Sequence, residues 1–199
     1  MSVISINDLT RDYGGGKGIF HITFNVEKGE VFGFLGPNGA GKTTTIRHLM
    51  GFIRPRSGSC TINGLNCWKE SDKIHKKLGY IPGEISFFDD MTGTDFLKFC
   101  MNYRKAGSGN RQKELLDRFE LDPKMKIRKM SKGMKQKLGI VTAFMSDPEI
   151  LILDEPTSGL DPLMQNRFVD LISEEKKRGK TILLSSHIFE EVERTCDRI

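Results

Sequence analysis

The sequence predicts an α/β protein with a parallel core, and three observations predict it. The apolar run Val31 to Leu35 passes through a glycine-rich turn, Gly36 to Thr43, into the helix-forming stretch Thr44 to Met50. A second run, Ile150-Leu151-Ile152-Leu153, ends in Asp154-Glu155. A third, Lys180-Thr181-Ile182-Leu183-Leu184, ends in Ser185-Ser186-His187. Aliphatic runs without polar alternation are buried parallel strands, and open α/β sheets gather their ligands at the carboxyl ends of such strands.

The other elements follow in order. Val3 to Ile6, Ile22 to Val26 and Ser59 to Asn63 are expected to form an antiparallel layer beside the parallel core, and Leu78-Gly79-Tyr80-Ile81-Pro82 reads as a further strand. Residues 84 to 146 read as a mostly helical insert, with helices over Thr94 to Tyr103, Arg111 to Glu120 and Lys132 to Ser146. The break Ala106-Gly107-Ser108-Gly109-Asn110 is a helix connector, too short to link domains. A chain of 199 residues with 37% hydrophobic residues can bury one substantial core, so residues 1–199 are expected to form a single domain with a helical subdomain at about 84–146.

The glycine turn satisfies GxxxxGK[ST] between a strand and a helix, which is where that pattern has physical meaning. The cradle is expected to comprise Gly36, Pro37, Asn38, Gly39, Ala40, Gly41, Lys42, Thr43 and Thr44. Glycines at 36, 39 and 41 permit dihedrals a side chain forbids, so that successive N–H groups converge on one anion at the positive end of the helix. Lys42 adds a compact cation, and the Thr43 hydroxyl is placed to ligate magnesium. The expected ligand is a nucleoside triphosphate with Mg2+.

Asp154 and Glu155 arrive at the same sheet edge, and neighbouring strand residues point to opposite faces, which predicts different work for each. Asp154 is assigned to the metal with Thr43, and Glu155 to polarising a water in line with the terminal phosphate. His187, at the third strand end, is placed to bond that phosphate or orient the water, whereas His21, His48 and His75 read as structural.

These elements, with Met130-Ser131-Lys132-Gly133-Met134-Lys135-Gln136 and Ser158-Gly159-Leu160-Asp161, make the chain resemble the ATP-binding cassette (ABC) family of transport ATPases over essentially its whole length. The resemblance implies a P-loop NTPase with a RecA-like mixed sheet core, an antiparallel β subdomain and a helical subdomain, binding and hydrolysing ATP with Mg2+. The family signature LSGGQ is altered, since Met130, Lys132 and Met134 replace its leucine, first glycine and glutamine, but Ser131 and Gly133 remain. In the family this segment faces the phosphate held by the other subunit, which implies a dimer of cassettes, expected to be a homodimer, with Ser131, Gly133 and Asp161 contributing to the nucleotide site. Tyr13 resembles the aromatic platform on which the adenine stacks. The family's glutamine after the Leu78 strand is here Gly83, followed by Glu84, and Glu84 is expected to substitute in part.

Residues 124 to 137 carry Lys124, Lys126, Arg128, Lys129, Lys132, Lys135 and Lys137 and no acid. Elsewhere bases and acids are interspersed, and the net charge of +5 is mild, so no nucleic-acid partner is expected. Cys60, Cys67, Cys100 and Cys196 show no CxxC pairing, and no apolar run is long enough to span a bilayer. The resemblance therefore implies a cytoplasmic subunit, peripheral on the inner face of the cell membrane, that acts on a separate transmembrane permease. Ile85, Phe87, Phe88, Met91, Phe96, Leu97 and Phe99 are its expected dock, with Phe88 the first choice for mutation. The overall wording resembles bacterial exporters of drugs, antibiotics or lipid-linked cargo, of the ABC-2 type. A rival is a cassette protein that remodels a soluble assembly such as the ribosome, but such proteins usually carry two cassettes and a charged linker. A chromosome-maintenance ATPase would need a long coiled coil between the motifs. A carboxyl-terminal portion is expected to follow Ile199.

Overall fold

Gly15 and Gly16, at φ of 60° and 75°, supply the two left-handed residues of a tight hairpin turn whose twist matches that of its strands. In the computed structural model, which describes residues 1–104 and 109–199, this turn joins β1 (Ser2–Gly14) to β2 (Lys17–Glu27), with Gly14 opposite Lys17. Both strands run well beyond the predicted Val3 to Ile6 and Ile22 to Val26. The cause is a register shift between Ile6 and Leu9, where Asp8 adopts φ of 48°. The bulge breaks the two-residue alternation yet returns Leu9 to the core, fully buried. β4 (Ser57–Ile62) and the short β5 (Leu65–Asn66) complete an antiparallel sheet in the order β2-β1-β4-β5.

The second sheet is parallel, in the order β3-β8-β7-β6, from β3 (Val31–Leu35), β6 (Leu78–Ile81), β7 (Ile150–Asp154) and β8 (Thr181–Ser186). Its strands alternate between two cores, as a two-residue period requires. Ile152 and Leu183 join Ile4, Leu9, Val26, Ile46 and Leu49 between the sheets, around α1 (Lys42–Leu49). Leu151, Leu153, Ile182 and Leu184 face the other way, toward Phe119, Leu138, Phe144, Phe168 and Leu171. The short α2 (Ser71–His75) leads into β6.

The expected insert contains α3 (Gly93–Arg104), α4 (Gly109–Arg118), a 3-10 turn (Ile127–Lys129) and α5 (Lys132–Phe144). α4 stops short of the expected Glu120, which is left-handed at φ 49° while the Leu121 N–H reaches back 3.0 Å to the Leu116 carbonyl. α5 likewise stops short of Ser146. Of the expected connector, Ala106, Gly107 and Ser108 lie outside the described residues, and Gly109 and Asn110 already open α4. α6 (Pro162–Lys177) and α7 (Phe189–Thr195) cover the parallel sheet. Ion pairs join α4 to α6: Arg118 meets Glu174 at 2.5 Å, and Arg111 meets Glu175, a nearly buried carboxylate that also receives Arg178 at 2.8 Å.

Candidate functional site

Gly39 and Gly41 carry the sharp turn at φ of 84° and 97°, and Gly41 caps α1 without any side-chain hydrogen bond. The opening N–H groups of α1 are thereby left to a ligand. Gly36 corrects the expectation made for it, since its φ is not positive; it is small because a Cβ there would sit 3.2 Å from that of Ala40. The buried Lys42 ammonium donates to the carbonyls of Gly36 at 2.6 Å and Pro37 at 3.2 Å, folding its tip back over the turn.

Because β8 lies between β3 and β7, the glycine turn and the acids sit on either side of the Ser185-Ser186-His187 segment. Asp154 is the last residue of β7, wholly buried, while Glu155 has left the strand in a left-handed conformation at φ 49°. The two acids therefore diverge by a backbone turn, which corrects the pleat argument. Such a conformation in a non-glycine residue costs about 1–3 kcal/mol and persists where its surroundings hold it. Here the Glu155 N–H is held by the Ser185 carbonyl at 3.1 Å.

His187 Nδ1 lies 2.6 Å from Glu155 Oε2. A carboxylate only accepts, so Nδ1 carries the hydrogen. Glu155 Oε1 lies 3.3 Å from Lys42 Nζ but out of hydrogen-bond alignment, and it has no hydrogen-bond partner among the described residues. Tyr13, Gly18, Asn38, Gly39, Gly41, Lys42, Thr43, Thr44 and Glu155 line one cleft of about 220 Å³. Tyr13 is half exposed at its rim, with the Arg11 guanidinium 5.3 Å from its ring centre.

Asp154 Oδ2 is buried and has no hydrogen-bond partner among the described residues. A side chain at position 83 would put its Cβ 2.9 Å from that oxygen and 3.6 Å from Thr43 Oγ1, so both oxygens border the space that Gly83 leaves open. An orphaned carboxylate oxygen beside a hydroxyl is the donor set of a hard divalent cation, and the residues fit magnesium. Glu84 is exposed and lines a different cleft with Lys132 and Lys135; no hydrogen bond or ion pair among the described residues joins it to Thr43 or Asp154. Burial, followed by the Asp154 charge, pushes the Tyr80 phenol up to about 12.

Ser131, Gly133 and Asp161 are absent from the Lys42 cleft. Ser131 caps α5 by accepting the Met134 N–H at 3.2 Å, and Asp161 caps α6 by accepting the Met164 N–H at 3.0 Å. Gly133 packs against the loop before α6, where a Cβ would stand 2.8 Å from the Gly159 carbonyl, and the Lys132 stem lies along Gly159. Gln136 Nε2 ties the same helix to the Pro156 carbonyl at 2.7 Å.

The basic stretch is partly answered by acids from another loop, Lys135 by Asp89 at 3.2 Å and Arg128 by Asp90 at 3.3 Å. Within the expected dock, Leu97 is core, Ile85, Phe87, Met91 and Phe96 pack partly buried against it, and Phe88 and Phe99 are exposed with ring centres 5.9 Å apart. His48 and His75 bond backbone carbonyls, each at 2.8 Å, and His21 pairs with Asp8 at 2.7 Å. Sequence reasoning missed Ser185, Ser186 and Glu191, which surround the acids and His187; the signal available was a pair of serines closing an aliphatic strand.

Comparison with known proteins gives this geometry a family. The profile described as ABC transporter matches residues 19–158. The chain is 41% identical to the bacitracin transport ATP-binding protein BcrA of Bacillus licheniformis over all of its own length and 66% of that protein. It is 37% identical to the linearmycin resistance ATP-binding protein LnrL of Bacillus subtilis over 99% of its length and 65% of that protein. The chain spans about half to two thirds of the length of the first curated relatives it matches. A solved structure described as the ATP binding subunit of an ABC transporter superposes with a TM-score of 0.87 at 34% identity, covering 98% of this chain and 84% of that one. This chain belongs to the ABC transporter family, as an ATP-binding cassette.

Proposed function

We propose that the chain is the ATP-hydrolysing subunit of an exporter, driving a separate membrane permease by nucleotide-dependent pairing of two cassettes. The observation that carries the reading is the single cleft shared by Tyr13, the glycine turn, Lys42, Thr43 and Glu155, with Asp154 Oδ2, which has no hydrogen-bond partner among the described residues, buried beside Thr43. The Tyr13 ring offers a stacking face to the base, and the N–H groups of the turn with Lys42 receive the phosphates. Thr43 and Asp154 would hold magnesium, which when bound offsets phosphate charge.

Glu155 Oε1 takes the proton of the attacking water, and His187 steers this carboxylate through Oε2. The Lys42 ammonium stands 3.3 Å from Oε1 as a charge partner only, and phosphate oxygens would draw it toward the nucleotide. Ser131, Gly133 and Asp161 stand apart from the Lys42 cleft of their own chain, so a second chain is needed to bring them to a phosphate. The Ser131 hydroxyl accepts from Met134 and retains its own hydrogen to donate. Among the described residues no helix is long and apolar enough to cross a membrane, and the transport and resistance names of the relatives support a membrane permease as partner. The names of the bacitracin and linearmycin relatives support export of an antibiotic-like cargo.

Glu155→Gln tests the reading: nucleotide binding should persist while hydrolysis falls about 10²- to 10⁴-fold, the usual contribution of a positioned base. Lys42→Ala should lose the binding itself. A Glu155→Gln variant that hydrolyses at the parental rate removes Glu155 from the reaction. Affinity purification from membranes should recover a permease, and recovery of ribosomes in its place would favour the soluble-assembly reading.

A further inference from the structure

The two serines that close β8 are both fully buried after the aliphatic run Ile182 to Leu184, and they serve opposite faces of the sheet. A buried hydroxyl costs free energy unless it is bonded, and each of these is. Ser186 Oγ donates to Glu191 Oε2 at 2.7 Å and accepts the Ile188 N–H at 3.0 Å, bracing the turn that carries His187. Ser185 stands in register with Asp154 across the β7–β8 pair. Its hydroxyl donates to Asp154 Oδ1 and accepts the Glu155 N–H at 3.3 Å.

Ser185 therefore touches both acids, its hydroxyl bonding Asp154 and sharing the Glu155 N–H with its own carbonyl, which lies nearer at 3.1 Å. The terminal torsion of an aspartate is broad and nearly two-fold, so the carboxylate alone does not decide which oxygen faces the site. The Ser185 bond decides it by engaging Oδ1 and leaving Oδ2 toward the space bordered by Gly83 and Thr43 Oγ1. We infer that Ser185 is a positioning residue that presents Asp154 Oδ2 to the metal and anchors the left-handed turn at Glu155. This rests on the reading of Asp154 as a metal ligand.

The test is Mn2+ binding, followed by electron paramagnetic resonance, to the full chain loaded with a non-hydrolysable ATP analogue. Ser185→Ala should weaken Mn2+ binding by about 10- to 100-fold, as removal of a group that orients a metal ligand does, while metal-free nucleotide affinity in EDTA stays within about twofold. Ser185→Thr, which keeps the hydroxyl, should stay within about threefold of the parent for Mn2+. The inference is overturned if Ser185→Ala binds Mn2+ within about twofold of the parent, or if its metal-free nucleotide affinity falls as far as its metal affinity. Should Ser185→Ala fail to fold, Ser185→Cys, similar in size with a weak donor, is measured in the same way and read by the same thresholds. A parental chain that binds nucleotide but no Mn2+ would strike the metal-site reading itself and carry this inference down with it.

Discussion

Gly41→Ala perturbs the place where the antiparallel layer presses on the phosphate turn. Gly41 is left-handed at φ 97°, and a Cβ built on it would stand 2.5 Å from Ile19 Cγ2 of β2. Ile19 is only 3% exposed, so it has little room to yield. The left-handed conformation costs an L-residue about 1–2 kcal/mol and overpacking about 1–3 kcal/mol, which together make about 2–5 kcal/mol. Gly39→Ala is the internal control: its φ is 84°, but a Cβ there meets nothing within 4 Å among the described residues, leaving only conformational strain. The two variants should therefore differ by about 1–3 kcal/mol, or about 0.5–1.5 M in urea midpoint at a slope near 2 kcal/mol/M. Equilibrium urea unfolding followed by circular dichroism reads this difference. A Gly41→Ala midpoint equal to or above that of Gly39→Ala would refute the reasoning, because it would mean that Ile19 does not confine the turn.

Two further outcomes follow from the surroundings of Glu155. His187→Ala should lower kcat about 100-fold while KM changes by less than about threefold, because His187 orients the base and does not line the cleft; an equal rise in KM would assign it to binding. Burial holds the Glu191 carboxyl above its usual value of 4.5, with Ser186 and Thr157 pulling the other way and the Glu155 charge reinforcing the rise. The folded chain thus takes up this proton more readily than the unfolded chain. Its contribution to stability is complete below pH 4.5 and is lost as pH rises through the raised folded value. Glu191→Gln should therefore gain stability relative to the parent as pH rises above 4.5 in urea titrations, and a gap that does not change with pH would refute the assignment.

The glycine turn was legible because its determinants are contiguous: a buried strand, residues able to take positive φ and a helix start, all within the reach of local sterics. The insert helices were legible to within a few residues because apolar spacing and breakers mark them, and their ends were missed where left-handed residues such as Glu120 close the last turn. The length of β1 was not legible, because a bulge at Asp8 interrupts alternation in the sequence without interrupting pairing in space. Different work for Asp154 and Glu155 follows from the pleat in the sequence alone, whereas in the fold a backbone turn separates them.

By itself the sequence determined which groups the chain owns and the backbone of each short motif, since a strand, turn or cap depends on neighbours a few positions away. Tertiary structure decided how those groups face one another. Strand order put β8 between the glycine turn and the acids, and register then set Ser185 on Asp154 and left one carboxylate oxygen without a hydrogen-bond partner among the described residues. Packing of Gly133 on Gly159 put the signature outside the Lys42 cleft. Such pairings join residues tens of positions apart, and their energy depends on which strands lie side by side, a choice made by the whole core and by no local pattern.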